Sequence, residues 1–190
     1  MHHLKITNPL QQVNLQNWQL SGQNIINSEK LLSQMVNIYE DEAARQILDQ
    51  QTLVYKVQAY LPVKEGIPGG LFFGTTIIQP GKVGDEYFMT RGHFHLNADR
   101  AEYYWGVQGR GMLILMDEQR NVWAERMFPG SLHYIGSHIA HRMANVGNEP
   151  LMFGACWPSD AGHNYKEIDE KGFSARLLEL SGEPVLIENK

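Results

Sequence analysis

A mainly β fold, an antiparallel sandwich or barrel preceded by a helical segment, is what this sequence predicts. Three observations carry the prediction. From Thr52 onward, short runs rich in β-branched and aromatic residues follow one another. Glycine, proline and other turn residues separate those runs. Only the stretch before Thr52 carries apolar residues at helical spacing. Many short strands with turn signals between them are the mark of an antiparallel sandwich or barrel.

Taken in order, the helical region runs from Ser28 to about Gln50. Ser28 can cap it, Glu29 and Lys30 form a polar first turn, and Leu31, Leu32, Met35, Val36, Ile38 and Tyr39 recur at helical spacing. A second helical stretch, Glu40 to Leu48, continues it. The strands then read TLVYKVQAY, LFFGTTIIQ, DEYFMTRGHFH, AEYYWGVQ, GMLILMD, NVWAERMF, SLHYIG, AHRMANV and LMFGACW. The final stretch, FSARLLELSGEPVLIENK, reads as closing strands around a Ser-Gly-Glu-Pro turn. Residues 1–51 thus form an N-terminal extension with a helix, and residues 52–190 a barrel, within one structural domain.

Composition narrows the function classes. With 190 residues, 43% of them hydrophobic, the chain suffices for one well-filled core. A net charge of -5 argues against a nucleic-acid binder, whose footprint is a basic stripe. No segment approaches the ~20 apolar residues that cross a bilayer, and MHHLKITNPL lacks the apolar region of a signal peptide. The single cysteine, Cys156, cannot form an internal disulfide, which fits a reducing cytoplasm. Within LMFGACW it reads as a buried small hydrophobe. His2 and His3 read as exposed and without a role, and His133 as a hydrogen-bonded structural residue.

The chemistry concentrates in Gly92-His93-Phe94-His95, followed by Glu102 and, much later, His141. Alternate residues of a strand share a face, roughly 7 Å apart, so His93 and His95 can reach one cation. Glu102 adds a carboxylate after the next bend, and His141 can complete the set from a distant strand. Three nitrogens and one oxygen suit Fe, Mn, Ni or Zn and leave positions open for water or substrate. Tyr104 shares the strand face of Glu102 by the period of two. Thr76 and Thr90 supply hydroxyls, and Gly92 lets a backbone N–H approach an anion closely. Arg91 or Lys82 is available as a cation.

The layout His-x-His, Glu102, Gly109, then Pro129-Gly130, His141 and Asn145 resembles the two signature blocks of the cupin superfamily. That resemblance implies a small β-barrel (a jelly roll, or double-stranded β-helix) whose mouth holds one metal. The chain departs from the commonest cupin pattern in two places. Six residues separate His95 from Glu102, which requires an extended loop, and Gly136 stands where the second block usually has proline. The run FGTTIIQPGKVGDEYFMTRGHFHLNADRAEYYWGVQGRGMLIL, with AHRMANVGNEP and WPSDAGHNY, looks like the cupin-type glucose-6-phosphate isomerases best known from archaea. The likeness spans roughly Phe73 to Phe173. It implies one divalent metal per chain on His93, His95, Glu102 and His141, with Fe first and Mn, Ni or Zn as alternatives. It also implies a sugar-phosphate pocket including Thr76, Thr90, Gly92, Tyr104, His163 and Tyr165. Trp157 and His138 stand where the family is expected to carry tyrosines, so both are taken as substrate contacts. A homodimer is implied as well.

Aldose–ketose isomerisation moves a proton between adjacent carbons, which a carboxylate can carry, so Glu102 is the first choice of base; a metal-assisted hydride shift is the other route, and the sequence does not decide between them. Two other classes fit a cupin metal site: an Fe-dependent oxygenase and a non-catalytic sugar-phosphate binder. The hydroxyl and glycine set at Thr76, Thr90 and Gly92 favours the isomerase.

Overall fold

The computed structural model describes residues 4–189, so His2 and His3 lie outside the described residues. The order of elements begins with a small hairpin, β1 (Gln12–Asn14) and β2 (Gln19–Ser21), then β3 (Ile25–Leu31), the short helix α1 (Glu42–Ile47), β4 (Leu53–Tyr60) and β5 (Leu71–Ile78). Two short strands, β6 (Lys82–Val83) and β7 (Glu86–Tyr87), lead to β8 (Glu102–Gln108), β9 (Gly111–Met116), β10 (Val122–Met127) and β11 (Leu132–Ile135). The chain ends with β12 (Ala140–Asn145), β13 (Leu151–Pro158), helix α2 (Lys166–Lys171), β14 (Ala175–Leu180) and β15 (Glu183–Glu188). No helix among the described residues is long and apolar enough to cross a membrane.

Every strand pairing is antiparallel. The largest sheet has the order β11-β8-β13-β5-β4-β3, a second β10-β9-β12, and a third β15-β14-β7-β6. The expected mainly β, cupin-type barrel is therefore present. Non-sequential neighbours such as β8-β13-β5 are the crossovers that turn a run of hairpins into a jelly roll. The core lies between the sheets. Ile78, Leu113, Met116, Ile135, Met143 and Leu151 are among its fully buried side chains. The strands alternate facing, so one face of the large sheet points inward and bounds a cavity.

The turn residues behave as expected. Gly109 has φ +81° between β8 and β9, and a Cβ there would meet the Pro150 carbonyl at 2.8 Å. Asn145 is fully buried and closes the β12–β13 connection. Its amide donates to the Ile78 and Glu149 carbonyls at 3.0 and 2.9 Å and accepts from the Gly147 N–H.

The helix expected from Ser28 is corrected. Ser28, Glu29, Lys30 and Leu31 belong to β3, which pairs with β4 in the large sheet, Ser28 opposite Val57. After a single 3₁₀ turn over Leu32–Gln34, the regular helix of this N-terminal region is confined to Glu42–Ile47, inside the second expected stretch. Its cap is Asp41, whose side chain accepts the Ala44 N–H at 2.8 Å. Leu32, Met35 and Tyr39 are buried, which reproduces a helical apolar spacing without a helix beneath it. His133 is hydrogen-bonded as expected, Nε2 against Ser131 Oγ at 2.9 Å and Nδ1 against Glu125 at 2.6 Å. Cys156 is half-buried rather than buried, and burial pushes its thiol pKa up, away from nucleophilic use.

Candidate active site

His93, His95, Glu102 and His141 come together from three places in the chain. Glu102 opens β8 and His141 is the second residue of β12. His93 and His95 lie in the irregular segment between β7 and β8. That segment meets β12 through two antiparallel bridges, Met89 opposite Ala144 and His93 opposite His141, and the second sets the site. Reciprocal backbone bonds fix it, His93 N–H to the His141 carbonyl at 3.2 Å and His141 N–H to the His93 carbonyl at 3.1 Å. Side chains directly opposite across such a bridge are held close. The His93 and His141 ring centroids lie 4.4 Å apart, and those of His93 and His95 5.8 Å apart. One donor atom from each of the four residues falls within 4.8 Å of every other.

The electrostatics of the cluster suit a cation. Glu102 and His141 are only 4% and 1% exposed. Glu102 Oε1 stands 2.5 Å from His141 Nε2 and 3.6 Å from His95 Nε2. Both Glu102 Oε1 and His141 Nε2 nevertheless lack a hydrogen bond of acceptable geometry. The contact is therefore a convergence of two electron-pair donors, a costly arrangement in a dry site unless a positive charge is shared between them. His95 Nδ1 faces the Arg100 carbonyl at 2.9 Å and donates its proton there, leaving Nε2 free as a ligand atom. His141 Nδ1 faces the Ile139 carbonyl at 3.4 Å in the same sense. Burial pushes the Glu102 carboxyl upward, but His141 and His95 outweigh it and hold the group well below the usual carboxylate range. Burial, His141 and His163 push His93 well below the ordinary imidazole value, so it stays neutral. Four such donors can hold a divalent transition metal.

Around the cluster lies a cavity of about 270 Å³. The period of two explains its walls. Ser28 and Lys30 of β3, Tyr55, Val57 and Ala59 of β4, Gly74 and Thr76 of β5, Glu102 and Tyr104 of β8, and Phe153, Ala155 and Trp157 of β13 all face it. Thr90, Arg91, Gly92, His93, His141, His163 and Tyr165 complete the lining. Of the residues expected to contact substrate, Thr76, Thr90, Gly92, Tyr104, Trp157, His163 and Tyr165 are therefore on its wall.

His138 is not, and that expectation is corrected. It sits at φ +61° in an exposed turn. Two surface carboxylates hold it, Glu118 at 2.9 Å from Nδ1 and Asp99 at 3.1 Å from Nε2. Lys82 is also elsewhere, paired with Glu179 at 2.6 Å. Arg91 does line the cavity. It forms a two-pronged ion pair with Asp169 of α2 and lies over the Tyr165 ring, 4.6 Å from its centroid.

Several lining groups have defined protonation and orientation. Burial first, and then the Glu102 carboxylate, hold the Tyr104 phenol protonated, so it acts as a donor. Thr90 Oγ1 accepts the Met143 N–H at 3.0 Å, which leaves its own O–H free to donate. Gly92 has φ +80°, a left-handed conformation that glycine adopts without cost. The His163 and Tyr165 rings stack at 5° and cover the site, with His163 4.4 Å from the His93 ring.

Ser28, Lys30, Tyr55, Val57 and Phe153 were not legible as site residues. The alternation in TLVYKVQAY could have placed Tyr55 and Val57 on one face. Ser28 and Lys30 were hidden by the helical reading of their strand.

The family model described as glucose-6-phosphate isomerase (GPI) matches residues 29–186. The glucose-6-phosphate isomerase of Thermococcus kodakarensis is 43% identical over 150 residues, covering 79% of this chain and 78% of that protein. That of Pyrococcus furiosus is 40% identical over 164 residues, 85% of this chain and 86% of that protein. A bacterial relative of the same name from Sinorhizobium medicae is 37% identical over 147 residues, 76% of this chain and 68% of that protein.

Proposed function

The chain belongs to the glucose-6-phosphate isomerase family, and from that premise we propose that it interconverts glucose 6-phosphate and fructose 6-phosphate at a metal centre held by His93, His95, Glu102 and His141. One observation carries the reading. Four donor atoms converge beside a cavity whose wall carries three of the four residues, His93, Glu102 and His141, together with hydroxyls, a glycine turn and cations of a type to hold a sugar phosphate. When bound, a divalent cation supplies Lewis-acid polarisation of the substrate's carbonyl and hydroxyl oxygens. Fe is the metal proposed, ahead of Mn, Ni or Zn, all of which accept imidazole and carboxylate ligands.

The chain's own groups account for the rest. Thr76, Thr90 and the Gly92 N–H bind the phosphate, with Arg91 and Lys30 on the same cavity wall. Binding energy from this remote group orients the reacting carbons. Glu102 is the proposed base. Its carboxyl is ionised, and it takes the proton from one carbon of the substrate and returns it to the neighbour. Tyr104, protonated beside Glu102, donates to a substrate oxygen. His163 and Tyr165 exclude water from above.

A coupled assay for conversion of fructose 6-phosphate to glucose 6-phosphate, run beside an oxygen electrode, tests the proposal. Turnover without oxygen uptake is expected, together with far weaker kcat/KM for free fructose. Metal-loaded protein that binds the sugar phosphate without converting it, or that consumes oxygen, would overturn it.

A further inference from the structure

Arg142 is a buried arginine for which the fold provides no ion pair among the described residues. It follows His141 on β12 and is 7% exposed. Nη2 donates to the Arg91 carbonyl at 2.7 Å. Nη1 has only the thioether of Met89, at 3.3 Å, and Nε is buried with no partner. The guanidinium lies over the Phe173 ring, 4.1 Å from its centroid. The carboxylate it feels is Glu86, which is itself buried and already accepts the Glu40 N–H at 2.7 Å. Burial pulls Arg142 down to about 10, below the ordinary arginine value. A cation so placed is destabilising unless something opposes its charge.

Its position says what that something is. A Cβ built on Gly92 would stand 3.0 Å from Arg142 Cβ and 3.1 Å from its Nε. Arg142 thus packs directly behind the Thr90–Gly92 turn, on the side away from the cavity. We propose that Arg142 is a positioning residue for the substrate's phosphate. Its hydrogen bond to Arg91 sets the shape of the turn, and its charge is balanced by the phosphate dianion bound on the cavity side. This rests on the reading that the turn holds the phosphate. Arg91 and Lys30, partly exposed, are screened by water and salt, whereas a buried cation acts at low dielectric and keeps its reach.

The test uses the metal-loaded enzyme, with inorganic phosphate as the probe by calorimetry and fructose 6-phosphate by kinetics. Arg142→Met is expected to weaken phosphate binding by about 10-fold or more, the scale of one charge pair at intermediate dielectric. KM for fructose 6-phosphate should rise to match, with kcat and metal content little changed. Arg142→Lys keeps the charge but not the planar fork stacked on Phe173, so it should bind phosphate more tightly than Arg142→Met and less tightly than wild type. Wild-type phosphate affinity should also fall by less than about threefold between about 20 and about 200 mM salt, since a buried pair is weakly screened. That arm needs no variant to fold. A folded Arg142→Met enzyme with wild-type phosphate affinity overturns the proposal if Thr90→Val loses phosphate. So does wild-type binding that collapses with salt. If wild type binds no phosphate, or Thr90→Val leaves binding intact, the underlying phosphate assignment fails instead.

Discussion

Gly92→Ala is the substitution whose cost the structure specifies most completely. Two separate penalties add. At φ +80° an L-residue sits in left-handed backbone, which costs about 1–2 kcal/mol relative to glycine. The new Cβ would then stand 2.8 Å from Phe173 Cε2 and 3.0 Å from Arg142 Cβ. Neither neighbour can retreat easily. Phe173 is 3% exposed, and Arg142 is tied to the Arg91 carbonyl and stacked on that same ring. Overpacking of this kind adds about 1–3 kcal/mol. Together these give a loss of about 2–5 kcal/mol, or roughly 4–20 °C in Tm for a domain of this size. Gly69→Ala is the matched control. Its φ is +78°, and a Cβ there meets nothing within 4 Å, so only the backbone penalty applies. Its Tm should fall by roughly 2–8 °C. The assay is thermal unfolding of both variants at equal metal loading, with a phosphate titration on each. Only Gly92→Ala should lose phosphate affinity. If the two variants melt within about 1 °C of each other and bind phosphate equally, then Gly92 is not wedged against Phe173 and Arg142 as described.

Three further outcomes follow from the same geometry. His141→Ala should lose most of the bound metal by elemental analysis, and a chelator should abolish turnover in wild type; activity in metal-free protein would refute the metal assignment. Glu102→Gln should lower turnover by about 10²-fold or more, the usual scale of a general base, with metal content measured on the same sample. Solvent deuterium should enter the product of the wild-type enzyme; a fully loaded glutamine variant near wild-type rate, with no label transferred, excludes Glu102 as the base. His138, whose imidazole value is raised by Glu118 and then by Asp99, should titrate above an ordinary histidine by NMR, and Glu118→Gln should bring it down. Because its folded value is raised, the contribution of this cluster to stability is present below about pH 6.5 and is lost as pH rises through the raised value. His138→Ala should change substrate KM by no more than about twofold, as for a surface position away from the cavity.

The fold was legible where hydrophobic alternation is strong and obscure where a strand faces the cavity with polar groups. In β4, Tyr55, Val57 and Ala59 alternate with outward residues, and TLVYKVQAY announces a strand. β3 is an edge strand whose inward residues are Ser28 and Lys30, so the polar cavity wall removed the very alternation that reveals a strand. What stood out instead was the spacing of Leu32, Met35 and Tyr39, which a 3₁₀ turn and an irregular segment bury one after another. The donor cluster suffered no such loss, because its members are distinguished by chemistry rather than by hydrophobicity. The proposed phosphate contacts were half legible. Thr90 and Gly92 could be named, but Arg142 behind them looks in sequence like one more charge on a strand.

The six residues between His95 and Glu102 show how a departure from a motif is absorbed. The extra length had to be held, since a loose loop beside two buried ligand residues would let their donor atoms drift apart. Arg100 holds it from both ends of its own residue. Its carbonyl accepts from His95 Nδ1 at 2.9 Å, which orients the ring toward Glu102. Its guanidinium grips Asp160 with two bonds, at 2.9 and 2.7 Å. Asp160 lies in the segment that carries His163 and Tyr165, and the Asn97 N–H ties the same segment again through the Ala161 carbonyl at 2.9 Å. The longer loop thus joins the donor cluster to the cover of the cavity. A shorter connection between His95 and Glu102 would reach the same ligand geometry, but without Arg100 it would leave His163 and Tyr165 without this anchor.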